Sequence, residues 1–121
     1  MAAKGTDSRR RAERRGRLAE WAAALCLWLR GYRILALRHR TPLGEIDLIA
    51  RKGDLVVFAE VKARRIEGRA VDAVSAASAL RIRAASDLWI ARQPDAHCLS
   101  SRFDIVAVLP WRWPRHFPDA F

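Results

Sequence analysis

Gly44-Glu45-Ile46-Asp47-Leu48-Ile49-Ala50-Arg51-Lys52-Gly53-Asp54-Leu55-Val56-Val57-Phe58-Ala59-Glu60-Val61-Lys62 is the stretch on which the fold turns. Glu45 to Arg51 alternates: Ile46, Leu48 and Ala50 fall on one side and Glu45, Asp47 and Ile49 on the other, as the period of two of a strand requires. Leu55 to Lys62 is dense in β-branched and aromatic residues and puts Val56, Phe58, Glu60 and Lys62 on one face. Lys52-Gly53-Asp54 between them has turn chemistry, so the pair predicts an antiparallel hairpin. With Gly53-Asp54 as a two-residue loop, Lys52 pairs with Leu55 and Asp47 faces Glu60. With Lys52-Gly53 as the loop, Glu45 faces Glu60 instead and Asp47 stays on that face.

Working outward, Tyr32 to Arg38 reads as a preceding strand and Thr41-Pro42-Leu43-Gly44 as the turn that links it, which makes a meander of three strands. Upstream, Trp21, Ala22, Leu25, Trp28 and Leu29 recur at helical spacing after Leu18, so Arg17 to Arg30 is a helix closed by Gly31. Its other side, Ala23, Ala24 and Leu27, is also apolar, and the helix is expected to be covered on more than one side. Downstream, a basic loop from Ala63 to Arg69 leads into a second helix, Val71 to Arg92, stopped by Pro94, with Val71, Val74, Ile82, Ala85 and Trp89 as its inner stripe. Phe103 to Leu109 is a fourth strand ended by Pro110. The tail from Trp111 to Phe121 is expected to pack on the body without a regular element. Met1 to Arg15, charge-dense and without apolar periodicity, reads as a flexible basic arm. The organisation is thus an arm at 1–15 and one α/β domain at 16–121.

The whole chain has 121 residues, 51% of them hydrophobic, enough for one core and too few for a second. Its longest apolar run, Trp21 to Leu29, is about half the length of a bilayer-spanning helix, so no membrane span and a cytoplasmic location are expected. Cys26 and Cys98 do not make a disulfide framework and read as small buried thiols. Lys and Arg number 23 against 13 Asp and Glu, a net charge of +10, which points to a polyanionic partner. Arginine predominates, favouring forked contacts to phosphate.

Like charges opposed on one sheet face are destabilising, so Asp47 beside Glu60 calls for a reason. Two carboxylates with a lysine on the same face suit a hard divalent cation, Mg²⁺ or Mn²⁺, which takes oxygen ligands and retains sites for water and substrate phosphate. Asp47 and Glu60 are the expected ligands, and Lys62 would orient the attacking water or neutralise charge on the phosphate. The spacing alone leaves a plainer alternative open, in which Glu60 and Lys62 balance one another and Asp47 is solvated.

Gly44-Glu45-Ile46-Asp47-Leu48-Ile49-Ala50 and Phe58-Ala59-Glu60-Val61-Lys62-Ala63-Arg64 strongly resemble the YraN family of small proteins classed as endonucleases. Gly16-Arg17-Leu18-Ala19-Glu20, Arg102-Phe103-Asp104 and the closing Ala120-Phe121 extend the resemblance over Gly16 to Phe121. It implies a restriction-endonuclease-like fold of the PD-(D/E)XK superfamily, related to archaeal Holliday-junction resolvases, with a mixed sheet flanked by helices. It further implies that Asp47, Glu60 and Lys62 are the metal and catalytic set, with Glu20 a candidate fourth member. One position departs: Ser78 stands where the family usually carries a lysine, so a basic substrate contact is either missing or moved to Arg81 or Arg83.

The expected function is a metal-dependent DNA endonuclease acting on branched or structured DNA, with Arg64, Arg65, Arg69 and Arg81 as DNA contacts; a homodimer would suit a two-stranded substrate. The alternative is a non-catalytic nucleic-acid-binding accessory module in DNA repair, recombination or uptake. His39, His97 and His116 lack metal-ligand spacing and read as surface or tail residues. Glu45 is read as supporting the metal indirectly and Asp104 as structural. Trp111 and Trp113 read as tail packing in preference to stacking on unpaired bases.

Overall fold

A computed structural model describes the backbone over residues 2–121 and the side chains over 16–121. The helix expected from Arg17 begins at Ala2, so the stretch expected as a flexible basic arm continues the backbone of α1, while its side chains at 1–15 lie outside the described residues. The elements are α1 (Ala2–Leu29), β1 (Arg33–Thr41), β2 (Gly44–Lys52), β3 (Leu55–Lys62), α2 (Ala76–Ala91), β4 (Ser100–Ala107) and β5 (Arg115–Phe117), with single 3₁₀ turns at Ala70–Ala73 and Ala96–Cys98. One five-stranded sheet has the spatial order β1-β2-β3-β4-β5. Its first three strands are an antiparallel meander, β4 runs parallel to β3, and β5 is antiparallel to β4. A parallel pair needs a crossover, and α2 supplies it.

The hairpin has the first of the two registers the sequence allows. Lys52 pairs with Leu55 and the ladder runs to Leu48 opposite Ala59, with Gly53 in the left-handed region at φ +61. At the preceding turn, Thr41 Oγ1 accepts from the N–H groups of Leu43 and Gly44 at 3.1 and 3.0 Å.

The helices cover opposite faces of the sheet. Ala23, Ala24 and Leu27 of α1 pack on Leu48, Ala50, Val57 and Ala59, whereas Ile82 and Ala85 of α2 pack on Ile46, Ile49, Val56 and Phe58. Ile46 departs from the expected alternation by joining the α2 side. At the end of α1, Gly31 has φ +95. The N–H groups of Gly31 and Tyr32 reach the carbonyls of Trp28 and Leu27, both at 3.0 Å, which is a Schellman closure. The buried side of α1 is the small-residue side. Leu18, Trp21, Leu25, Trp28 and Leu29, the stripe with the larger residues, face outward. Alanines let the helix approach the sheet closely, and that approach turns the tryptophans away.

α2 begins later than the Val71 expected from the sequence, because Ser75 is an extended N-cap whose Oγ accepts from the Ser78 N–H at 3.1 Å. Val71 is accordingly outside the helix and exposed. β4 starts at Ser100, where the Ser100 N–H bonds the Asp54 carbonyl at 2.9 Å and opens the parallel ladder. The tail does contain a strand. β5 is three residues long, and Pro114 and Pro118, which lack an N–H, flank it. Cys26 is buried as expected, but Cys98 is exposed in the turn before β4. No helix among the described residues is long and apolar enough to cross a membrane.

Candidate functional site

β2 and β3 part at the end of their ladder. One step past the Leu48–Ala59 pair the register sets Asp47 opposite Glu60, and the Asp47 carboxylate itself accepts the Val61 N–H through Oδ2 at 2.9 Å. A side chain thus takes the bond that a main-chain carbonyl would take in a continuing ladder. Beyond this point the strands leave an open cleft of about 280 Å³, lined by Glu45, Asp47, Glu60, Ser78, Arg81 and Ile82. Lys62 stands beside it, its Nζ 3.3 Å from Glu60 Oε1.

Gly44 lets the cleft have two walls. A Cβ built there would lie 3.1 Å from the Arg81 carbonyl oxygen and 3.2 Å from Arg81 Cβ, so the first residue of β2 meets α2 at near-contact distance. That approach brings Ser78 and Arg81 over the carboxylates. Arg81 Nη2 donates to Ser78 Oγ at 3.3 Å, while Arg83 lies over the Phe103 ring at 4.9 Å. Of the two arginines considered as replacements for the family's lysine, Arg81 is therefore the one at the cleft.

Burial pushes the Asp47 carboxyl up to about 7. The Val61 N–H opposes that rise, and the negative charges of Glu60, Glu20 and Glu45 add to it. Glu20 is itself buried on α1, and both its oxygens accept from Arg38 Nε at 2.8 and 2.7 Å. Arg38 occupies the left-handed region at φ 52, unusual for a residue with a Cβ, between the Leu37–Leu48 and His39–Ile46 pairs and so opposite Asp47 in register. Glu20 is thus at the edge of the site with its own cation, while its charge is still felt at Asp47.

The remaining sequence-derived residues are dispersed. Arg64, Arg65 and Arg69 are exposed on the loop after β3, Arg69 Nε being 3.7 Å from Asp72. Glu45 lines the cleft and its Oε2 is 3.8 Å from Arg40 Nε. Among the described residues no three His, Cys, Asp or Glu side chains converge as a metal cage. Two carboxylates nonetheless match what a hard cation needs when water and phosphate supply the rest.

A second polar centre was only partly legible. Asp104, fully buried, accepts from Arg102 Nε and Nη2 at 2.8 and 2.7 Å, from the Asp119 N–H at 2.9 Å, and lies 2.6 Å from His116 Nε2. Arg102 Nη2 also donates to the Tyr32 hydroxyl at 2.9 Å. His116 is not the exposed tail residue expected: its side chain is enclosed, with Arg30 donating to Nδ1 at 2.9 Å. Only the folded position of β5 brings it there, and no local spacing could have shown that. Burial alone would raise the Asp104 carboxyl, but Arg102, His116 and the Asp119 N–H outweigh it and hold it below the ordinary range.

The fold and cleft define an α/β protein with an acid pair and a lysine where two strands separate. Residues 19–108 match UPF0102, described as an uncharacterised protein family, and the chain belongs to this UPF0102 (YraN) family. It is 70% identical to a UPF0102 protein of Rhizobium etli (strain CIAT 652) over 96% of this chain and 95% of that one. A UPF0102 protein of Sinorhizobium fredii (strain NBRC 101917 / NGR234) is 63% identical over the full length of both. One from Mesorhizobium japonicum is 60% identical over 100% of this chain and 97% of its own.

Proposed function

We propose that the chain is a divalent-metal-dependent DNA endonuclease of restriction-endonuclease-like fold that hydrolyses phosphodiester bonds in branched or structured DNA. The observation that carries this reading is the Asp47–Glu60 pair at the mouth of the cleft, opposed in register, in which Glu60 has Lys62 at 3.3 Å while Asp47 pairs with no cation among the described residues. Its donor set is all oxygen, with Asp47 Oδ2 committed to Val61 N–H, so the other Asp47 oxygen and Glu60 would hold Mg²⁺ or Mn²⁺. When bound, the cation supplies Lewis acidity and a water of lowered pKa. Lys62 would orient that water and offset negative charge on the phosphate as the phosphorus–oxygen bond to the leaving strand breaks. Arg81 would replace the family's lysine as a phosphate contact from α2.

The partner in this reading is DNA, held by Arg64, Arg65 and Arg69, which are exposed on the loop after β3. A homodimer meeting through the outward stripe of α1 would offer two clefts to a two-stranded substrate. Its five large apolar side chains, Leu18, Trp21, Leu25, Trp28 and Leu29, are all exposed and would supply the apolar contact that homodimer interfaces use. Gel filtration of the purified chain against Trp21→Glu tests this, and co-elution of the two at monomer size overturns it.

Purified protein is incubated with supercoiled, single-stranded, flap and four-way-junction DNA in Mg²⁺, Mn²⁺ or EDTA. Cleavage should require metal, disappear in Asp47→Asn and fall about 10²–10³-fold in Lys62→Ala, with DNA affinity in EDTA nearly unchanged in Lys62→Ala. Metal-independent binding with no cleavage of any substrate would favour the accessory-module reading.

A further inference from the structure

Most arginines that approach a carboxylate serve the fold. Arg38 holds Glu20, Arg51 reaches Asp54 and Asp95, and Arg102 holds Asp104. Arg65, Arg112 and Arg115 do not. They surround one cavity of about 250 Å³ together with Trp113, Phe117 and Ala107, and among the described residues none of the three pairs with an acid. Arg115 lies over the Phe117 ring at 5.0 Å. Like charges around one hollow repel each other, and an entering anion relieves the repulsion.

The cavity is also aromatic. Trp113 is 58% exposed at its wall, so the tail packing expected from the sequence leaves much of this indole open. Trp111, fully exposed two residues earlier, is not part of that wall. The place of the cavity in the sheet links it to the cleft. Ala107 in its lining is the register partner of Lys62 on β3 and of Arg115 on β5, and the Val108 N–H bonds the Lys62 carbonyl at 2.8 Å. The hollow therefore begins about one strand spacing, ~5 Å, from the backbone of the cleft lysine.

We infer that this cavity holds an unpaired nucleotide of the bound DNA strand, its base stacked on Trp113 and its phosphate gripped by Arg65, Arg112 and Arg115. Guanidinium forks match phosphate oxygens, and an indole face accepts any base whose own face is free. A base within a duplex has no free face, so the site reads single-stranded character. This inference rests on the DNA-binding part of the function proposed above and not on cleavage.

The test is fluorescence anisotropy in EDTA with a short labelled oligothymidylate and a duplex of equal length. Trp113→Ala should weaken single-strand binding by about 5- to 100-fold while duplex binding changes less than about twofold; Trp113→Phe should restore most of the loss, and Trp111→Ala should match wild type. Arg112→Ala should lower the slope of log K against log salt by about 0.7 for the single strand. Equal losses on both DNAs, no loss in Trp113→Ala, or an equal loss in Trp111→Ala overturns the inference. If the Trp113 dependence holds while the wild type cleaves nothing in Mg²⁺, the nuclease reading fails and the subsite stands. Cleavage without Trp113 dependence has the converse meaning.

Discussion

Asp104 on β4 and Asp47 on β2 are both aspartates withdrawn into the sheet region, and their surroundings push them in opposite directions. Asp104 receives four contacts, including a forked one from Arg102 and one from the enclosed His116, and its carboxyl is held low. Asp47 receives the Val61 N–H, sits among Glu60, Glu20 and Glu45, and is pushed up to about 7. Burial is common to both; the supply of donors differs. A buried acid with every lone pair answered ties strands together, whereas one left short of positive charge is poised to take a proton or a cation. The same contrast divides the arginines. Arg102 is consumed by its aspartate, while among the described residues the Arg81 guanidinium at the cleft donates to the Ser78 hydroxyl and pairs with no acid.

The largest effect expected from this contrast is at the satisfied end. Asp104→Ala leaves the Arg102 guanidinium and His116 without their acceptor in a nearly closed space, and removing one partner of a buried pair costs about 3–5 kcal/mol. That is a large share of the roughly 5–15 kcal/mol typical of a domain. The urea midpoint should fall steeply at pH 7. Because the Asp104 carboxyl is held low, its contribution is complete above the unfolded value near ~3.9 and is lost as pH falls through the lower folded value. A variant that melts like wild type would show that the network is ornamental and the comparison false.

A smaller effect of opposite sign is expected at Asp47. Asn keeps an oxygen to accept the Val61 N–H but removes the charge. For Asp47 the folded pKa, about 7, lies above the unfolded one. The favourable contribution is therefore full below ~4 and is lost as pH rises through 7. Without metal, Asp47→Asn should be more stable than wild type at pH 8 by about 1–3 kcal/mol, since each tenfold change in proton affinity is worth ~1.4 kcal/mol and solvent in the cleft screens part of it. The gain should vanish at pH 4. Chemical melts at the two pH values check this, and equal stability at pH 8 would mean that the cleft does not strain its acid. In Mg²⁺ the order should reverse, because only wild type has the ligand and gains from binding.

How much of this could be read from the chain depends on the range of each interaction. The Lys52-Gly53-Asp54 turn sets the hairpin locally, so β3 and the shared face of Asp47 and Glu60 follow from residues a few positions apart, while the choice between the two registers is made by the folded ladder. Gly31 likewise closes α1 as its position suggests. What failed was global. Periodicity shows that α1 has two apolar sides, but which one meets the sheet depends on how closely the sheet is approached, and the alanine side won over Trp21 and Trp28. β5 and the enclosure of His116 depend on β4 being already in place, and a three-residue strand between two prolines carries almost no local signal. How open Trp113 stays depends on the same docking of the tail, so its spacing alone does not decide between packing and stacking.

The smallest expected effect sharpens the comparison most, because it concerns a residue that touches neither aspartate in the contacts described. Glu20 contributes to the raised carboxyl of Asp47 and also holds Arg38, which stands opposite Asp47 in register. Glu20→Gln should act twice in one direction: it removes a negative charge from the surroundings of Asp47, and it releases the Arg38 guanidinium from its neutralising partner. Both favour the ionised form of Asp47. Its midpoint should move down from about 7 by about half a pH unit to one, on the order of 1 kcal/mol at the effective dielectric near 20 that suits such sites. Titration of the Asp47 carboxyl by carbon-detected NMR in metal-free buffer measures it directly. If the midpoint stays where it was, Glu20 serves only to anchor Arg38 in its left-handed conformation, and the acid set of the cleft reduces to Asp47, Glu60 and Glu45.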